Sequence, residues 1–492
     1  MRKSIIYIVS ALVIFSSCSD WLDVSPLTEV REDELFSDEE GYENALTGVY
    51  IQLGQRELYG KTVSMYIPEM MAYTWAIPTE STDPTAYYLA KFDYENADVE
   101  KAIDNMWSSF YTSIAQLNNI LENVESSKAN FTNGNRNLIA GEAYGLRAFL
   151  HLDLLRLFGP VPGNAVNTSI SIPYSKVFTT DVAKLKSISY EEVVANIEAD
   201  LDKAEELLKN DPAVKTIYSL DASSSSDPVV LDDSWQYYRQ LRFNYYAVLG
   251  CKARFYYWIG EKEKAVEYAL KVINAIDESG NTVFTLMDEA YYASHGNANL
   301  NMKSEHLFGV YNSNFASEVY SAYYGKANSL FTQKEEYVST AYESNSSPDD
   351  IRNKGTRYWN EADDETSASR SFHYYKYAMK GSLYGAYTVP LIRLSEMYFI
   401  LFENENIDTM LPYFKKWRLS RGLDSSLDNS MTTASNIISR LEKEWRKEFF
   451  GEGQMFYFYK KHAYEAYTWP TTVAVSLDNY VIPKPKSQTQ YE

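Results

Sequence analysis

A chain of 492 residues with ordinary apolar content can bury a large core, as about three domains or one repeat-built body. Its formal charge of −21 disfavours nucleic acid and other polyanions as bulk partners. Only two cysteines occur, Cys18 and Cys251, so no disulfide framework organises the fold.

Met1–Ser17 has the order of an export signal. Arg2 and Lys3 come first, then the apolar run Ile5–Phe15, eleven residues and too short to span a bilayer. Ser16-Ser17-Cys18 follows. Small residues directly before a cysteine resemble a bacterial lipobox, with Phe15 in place of the usual aliphatic residue. Cys18 is the expected lipidation site, and ordinary secretory cleavage nearby is the alternative. Loss of residues 1–17 removes two bases and no acid, taking the charge from −21 to −23. No other segment is long and apolar enough to cross a membrane.

Ser37-Asp38-Glu39-Glu40 has capping-box order ahead of a helix with apolar residues at Tyr42, Ala45, Leu46, Val49, Tyr50 and Leu53. Met65–Tyr94 keeps no period and contains Pro68, Pro78 and Pro84, so a long loop carrying Trp75, Tyr87 and Tyr88 is expected. Lys101–Val124 repeats Ile103, Trp107, Phe110, Ile114, Leu117, Leu121 and Val124 at helical spacing. Ile139–Phe158 is apolar nearly all round, so it has neighbours on most sides, and Gly159-Pro160 stops it. These two helices should pair antiparallel. Arg147 and Arg156 sit inside that apolar surface and need carboxylate or carbonyl partners from distant parts of the chain.

Ser189-Tyr190-Glu191-Glu192 is a second capping box. Ser219–Ser234 is a polar insertion, expected as a surface loop. Asn244–Ile276 matches a tetratricopeptide pattern through Leu249, Ala253, Tyr256, Gly260, Ala265, Ala269 and Val272, with Cys251 as an inert buried thiol. Asn281–Val389 is rich in Tyr, Ser, Asn and Gly and has few helical stripes, although His306–Tyr311 suits a short strand. Pro390–Glu403 reads as helix again.

Several of these segments also resemble one known family. LRAFLHLDLLRLFGPVP, within Ile139–Gly163, is similar to the signature helix of the SusD/RagB family, surface lipoproteins of Bacteroidetes that capture nutrients for an outer-membrane transporter. Cys18–Pro26 resembles the family's mature N-terminus. Pro390–Glu403 resembles a second signature, with Arg393 and Glu396 on matching positions; Trp417–Leu423, Glu442–Lys461 and Tyr480–Pro485 resemble others. The chain departs after Glu452-Gly453, where Gln454 and Met455-Phe456-Tyr457-Phe458 replace the usual arginine, Trp and Asp, which puts the local ion pairs in doubt.

The resemblance implies a mainly α fold: a tetratricopeptide-like superhelix with a second, loop-rich lobe holding little β structure. The expected division is a signal at 1–17, an anchor segment at 18–36, and a helical scaffold at 37–280 with loops 65–95 and 210–240. A ligand-facing lobe at 281–389 and closing C-terminal helices at 390–492 follow. It also implies a lipid-anchored outer-membrane protein facing the exterior, partnered by a TonB-dependent SusC-like transporter.

No catalytic constellation stands out. His151, His295, His306, His373 and His462 show no zinc-ligand spacing, and Cys251 has no plausible nucleophile partners. Asp349-Asp350 and Asp363-Asp364 could offer carboxylates to calcium, but they lack the DxDxDG spacing, so a solvated loop and no cofactor are expected. The positive feature is tyrosine, 43 residues against 22 Phe and 9 Trp. A sugar ring needs a flat aromatic surface plus polar side chains for its hydroxyls. Trp75, Tyr88, Asn314, Tyr320, Tyr323 and Trp359 are the candidate ligand-binding residues, each with ordinary packing as its competing role. Oligosaccharide is the expected cargo, oligopeptide the alternative, and a lipid-anchored glycoside hydrolase a third reading.

Overall fold

The computed structural model describes residues 32–164, 169–215, 233–295, 300–315, 331–344, 349–353, 358–361, 371–377, 387–404, 406–424 and 433–492. Helix α1 (Glu39–Leu53) opens on Asp38, whose side chain accepts from the Gly41 amide. A glycine at the third helical position cannot return a side-chain bond, so this is an Asp cap and not the Ser37 box the sequence suggests. The Ser37 hydroxyl donates instead to the Glu34 carbonyl. The stretch expected as loop carries two short helices, α2 (Ile67–Met71) and α3 (Pro84–Leu89). Their prolines sit in the first turn, where a missing N–H has no helical partner to lose.

Helices α4 (Ala97–Ser126) and α5 (Asn135–Phe158) form the expected antiparallel pair. Trp107 meets Phe158 at one end, and the Tyr144 hydroxyl donates to Glu125 near the other. Almost every residue of α5 is buried. Gly145 makes this possible, since a Cβ there would lie 2.4 Å from the Phe243 ring. A small hairpin of β1 (Ile170–Pro173) and β2 (Ser187–Ser189) leads into α6 (Tyr190–Leu208), which Ser189 and Glu192 cap reciprocally as the sequence predicts. Helices α7 (Tyr245–Ile259) and α8 (Lys262–Ile273) are the tetratricopeptide-like pair, and Gly260 makes the turn at φ +86°.

The second lobe is built on short strands. β3 (His306–Tyr311) precedes β4 (Thr332–Lys334), helix α9 (Glu335–Ala341), β5 (Trp359–Glu361) and β6 (Ser371–Tyr374). β4, β6 and β5 pair antiparallel in that order. β3 pairs antiparallel with β7 (Thr388–Arg393), so Pro390–Arg393, expected as helix, is strand. Every residue of β7 is buried, which erases the period-two pattern and leaves an apolar run that cannot be told from helix. Helix α10 (Leu394–Asn404) starts directly after it, and α11 (Ile407–Ser420), α12 (Ala434–Glu448) and α13 (Gln454–Lys461) complete the closing helices. The scaffold helices stack in series, α4 on α5, then α6, α7, α8 and α10.

Buried arginines join these parts. Arg147 on α5 donates twice to Asp200 on α6, at 2.7 Å each, and once to Asn118 on α4 at 2.8 Å. Arg239 pairs with Glu142 and Asp211, and Arg254 on α7 grips Glu396 on α10 at 2.6 and 2.7 Å. Arg156 pairs with Asp153 and also donates to Gln454 at 2.8 Å, so the residue that departs from the family pattern still holds α13 to the scaffold. Lys460 on α13 is fully buried and donates to the carbonyls of Leu157 and Gly159, at 3.1 and 2.7 Å, closing the C-terminus of α5. Burial pushes its ammonium far below the usual lysine range. Removing one partner of a buried pair strands the other. Arg147→Ala should therefore lower unfolding free energy by about 3 kcal/mol, read by denaturant titration; an unchanged midpoint would show that Asp200 is solvated.

The largest ionic cluster joins the second lobe to the closing helices. Glu448 on α12 accepts from Arg393 at 2.9 Å, Arg421 at 2.7 and 3.0 Å, and Arg352 at 3.1 Å. Glu305 takes Arg421 and Arg393, Glu452 takes Arg393 and Lys376, and Asp350 with Glu444 takes Arg352. Burial alone would raise the Glu448 carboxyl, but Arg421, Arg393 and Arg352 outweigh it and hold it well below the usual range. Asp350, offered above to calcium or to solvent, is fully buried on Arg352. Asp363-Asp364 lies outside the described residues.

Candidate functional site

Trp75 and Trp359 are brought together, with ring centroids 6.3 Å apart, but inside the protein. They are 1% and 3% exposed. Phe331, Tyr374 and Phe450 surround them, at 5.6, 5.6 and 6.0 Å from Trp75. The Trp75 indole donates to the Met65 carbonyl at 2.9 Å, and the Trp359 indole to the Tyr342 hydroxyl at 3.4 Å. Neither ring can stack on a ligand, which corrects the expectation for both. The polar neighbours of each tryptophan suggested a wet surface; the aromatic partners that dry it come from the residue before β4, from β6 and from the second residue after α12.

This cluster has a consequence for the loop that carries Trp75. The Ala76 amide donates to the Thr332 carbonyl at 2.8 Å, and the Gln333 amide to the Thr74 carbonyl at 3.1 Å. Farther on, Asp83 caps α3 and accepts from the Tyr66 hydroxyl at 2.8 Å. The stretch is thus pinned to the second lobe around Trp75, and α3 is tied back to its beginning through Tyr66.

On that support Tyr88 stands half-buried, edge to face with Tyr87 at 5.2 Å. Lys91 lies 3.7 Å over the Tyr87 ring, and the Tyr88 hydroxyl donates to Glu80 at 2.7 Å. The hydrogen bond to Glu80, with some burial behind it, pushes Tyr88 up to about 12, so its hydroxyl stays neutral at physiological pH. The pair is a fixed aromatic ridge, with an ammonium over one face of Tyr87 and a carboxylate on the Tyr88 hydroxyl. Asn314 is exposed on a different element, after β3, and its amide donates to the Asn312 side chain at 2.9 Å. Beside it Tyr311, 36% exposed, meets Tyr387 edge to face at 5.9 Å, a pair that the sequence analysis does not single out. Their strands align only through the β3–β7 register, which no local signal announces. Tyr320, Tyr323 and Cys18 lie outside the described residues.

The buried bases and thiol of the described residues serve the fold. His151 bonds the Arg147 carbonyl and the Ser175 amide and stacks on Tyr174 at 3.8 Å. Burial pushes it down to about 3, as it does His306. Burial also pushes the Cys251 thiol up to about 12. Glu39, Glu43 and Asp233 approach one another within 4.8 Å, and all three accept from the Asn135 amide at the start of α5. Burial first, then Asp233 and Glu39, pushes Glu43 up to about 7. Among the described residues no helix is long and apolar enough to cross a membrane.

Residues 20–227 match the model of a SusD-like family described as starch-binding and associating with the outer membrane. Two SusD-like proteins of Formosa agariphila, P38 and P2, are 26% identical over 202 residues and 25% identical over 213. The matched stretches cover 41% and 42% of this chain but only 36% and 38% of those relatives. A SusD superfamily protein from Bacteroides thetaiotaomicron superposes with a TM-score of 0.68 at 19% identity, covering 92% of this chain and 97% of its own. A SusD-like carbohydrate binding protein from Bacteroides vulgatus gives 0.68 at 18% identity, covering 93% and 97%.

Proposed function

We propose that this chain, SusD-like in fold along its described length and in sequence over residues 20–227, is a non-catalytic surface protein that captures oligosaccharides. It hands them to a TonB-dependent SusC-like transporter and is held to the outer membrane by a lipid on Cys18. The observation that carries the reading is the Tyr87–Tyr88 ridge, half-buried on α3, which Asp83 caps and which follows a segment pinned at Ala76. An aromatic face fixed before the ligand arrives loses little freedom on binding. The starch-binding character of the matching family and the carbohydrate-binding protein of similar fold favour a sugar as the occupant.

Tyr88→Ala should weaken binding of a neutral oligosaccharide about tenfold, about 1.4 kcal/mol, with an unchanged melting temperature. Calorimetry on a panel of neutral glycans and peptide mixtures, with thermal melts alongside, makes the test. Binding of peptides alone would move the cargo to oligopeptide. Hydrolysis of a bound glycan, abolished by one carboxylate substitution, would make the protein an enzyme.

A further inference from the structure

A groove of about 900 Å³ separates residues 92–97 and the first turns of α4 from the C-terminal segment Val481–Ser487. That volume suits a small organic ligand. Buried Ile103 forms its floor, with half-buried Phe92 and Tyr94 beside it and Val481 and Pro483 on the far wall.

Both walls are fixed. The Tyr94 hydroxyl donates to the Asn479 carbonyl, and the Ile482 amide to Leu157 at 3.3 Å. The Ser487 hydroxyl donates to Asp104 at 2.7 Å, and the Gln488 side chain to the Leu185 carbonyl at 2.6 Å. Lys486 pairs with Glu100, and Lys484 with Glu492. Three residues beyond α3, Phe92 has φ +56°, a left-handed conformation that favours glycine, yet an aromatic ring stands there and lines the groove.

Three charged side chains at the rim are exposed and make no ion pair or hydrogen bond: Asp93, Glu95 and Lys101. Flat apolar surface below and unspent acceptors and a donor above match one chemistry. C–H faces of a sugar lie on Phe92 and Tyr94, above buried Ile103, while its hydroxyls donate to Asp93 and Glu95 and accept from Lys101. An acidic glycan would bring its anions against Asp93 and Glu95, with Lys101 alone free to meet them. A cationic peptide would leave Lys101 opposed.

We propose that this groove is a second binding site, for a short neutral oligosaccharide, distinct from the Tyr87–Tyr88 ridge. The inference shares the sugar-binding reading above but not its residues, so the two fail separately. The test is calorimetry on the full chain with maltohexaose, cellohexaose and xylohexaose, against a hexamer of galacturonate and trilysine. Wild type, Tyr88→Ala, the triple variant Asp93→Ala/Glu95→Ala/Lys101→Ala, and all four substitutions together are compared. The three rim residues are exposed and unpartnered, so the triple variant should melt as wild type does. At least one neutral hexamer should bind Tyr88→Ala, and the rim substitutions should weaken that remaining binding tenfold or more. Unchanged affinity for neutral hexamers on rim substitution would overturn the proposal, as would no neutral hexamer binding wild type. Preference for galacturonate or trilysine, abolished by the rim substitutions, would also overturn it. Loss with the rim variant but not with Tyr88→Ala would leave the groove standing and remove the ridge.

Discussion

Glu448→Ala is expected to cost about 5 kcal/mol of stability, the upper end for a broken buried pair, because one deletion removes an acceptor shared by three buried guanidiniums. Arg352, Arg393 and Arg421 are at most 1% exposed, so water cannot replace the lost carboxylate. Arg421 would keep Glu305, Arg393 would keep Glu305 and Glu452, and Arg352 would keep Asp350 and Glu444. These remaining acids balance the formal charge and prevent outright collapse, but they do not replace the hydrogen bonds that Glu448 accepts from all three guanidiniums. The folded carboxyl lies below its unfolded value near ~4.3, so its contribution is present above that pH. It is lost as pH falls through the lower folded value. Denaturant titrations of wild type should therefore be flat in this term from neutral pH to about 5 and decline further into acid. Glu448→Ala should start lower and lose part of that acid slope. Matching midpoints at neutral pH would mean that the cluster adds no net stability.

Trp75→Ala should cost about 3–5 kcal/mol, the range for removing a large buried aromatic. The deletion empties the space among Phe331, Trp359, Tyr374 and Phe450 and leaves the Met65 carbonyl without its donor. Thermal melts should drop, and ligand affinity should fall with them as the loop behind Tyr88 loosens. Trp75→Phe keeps much of the contact and should fall between. A variant with full melting temperature and lost binding would return Trp75 to the ligand surface.

What local pattern governs was legible before any coordinates. Helix α5 declares itself because it is apolar on every side and stopped by Gly159-Pro160, and that same burial made partners for Arg147 and Arg156 obligatory. Ser189 with Glu192 and the turn at Gly260 are equally local signals, and both hold. The misreadings have one physical source: contacts between residues far apart in sequence. β7 lost its alternation because both its faces are covered. Trp75 and Trp359 looked exposed because each lacks a helical stripe, while the rings that bury them come from other segments. The half-buried setting of Tyr88 was legible, though not its role, because its neighbours Glu80, Tyr87 and Lys91 are close in sequence. The groove beside it was not, since the hydrogen bond that sets its width joins residues 383 positions apart.

Synthesis runs from the N-terminus, so the carbonyl of Leu157 exists 303 residues before the ammonium that closes it. Until Lys460 arrives, α5 has an open C-terminal end, and Arg156 lacks Gln454. The helix at the centre of the scaffold is therefore finished by a segment made 303 residues later. The nascent protein must wait, with apolar α5 surface unsheltered, and depends during that interval on whatever keeps unfolded chains from sticking to one another. A premature stop just ahead of α13 should be nearly as damaging as one far upstream.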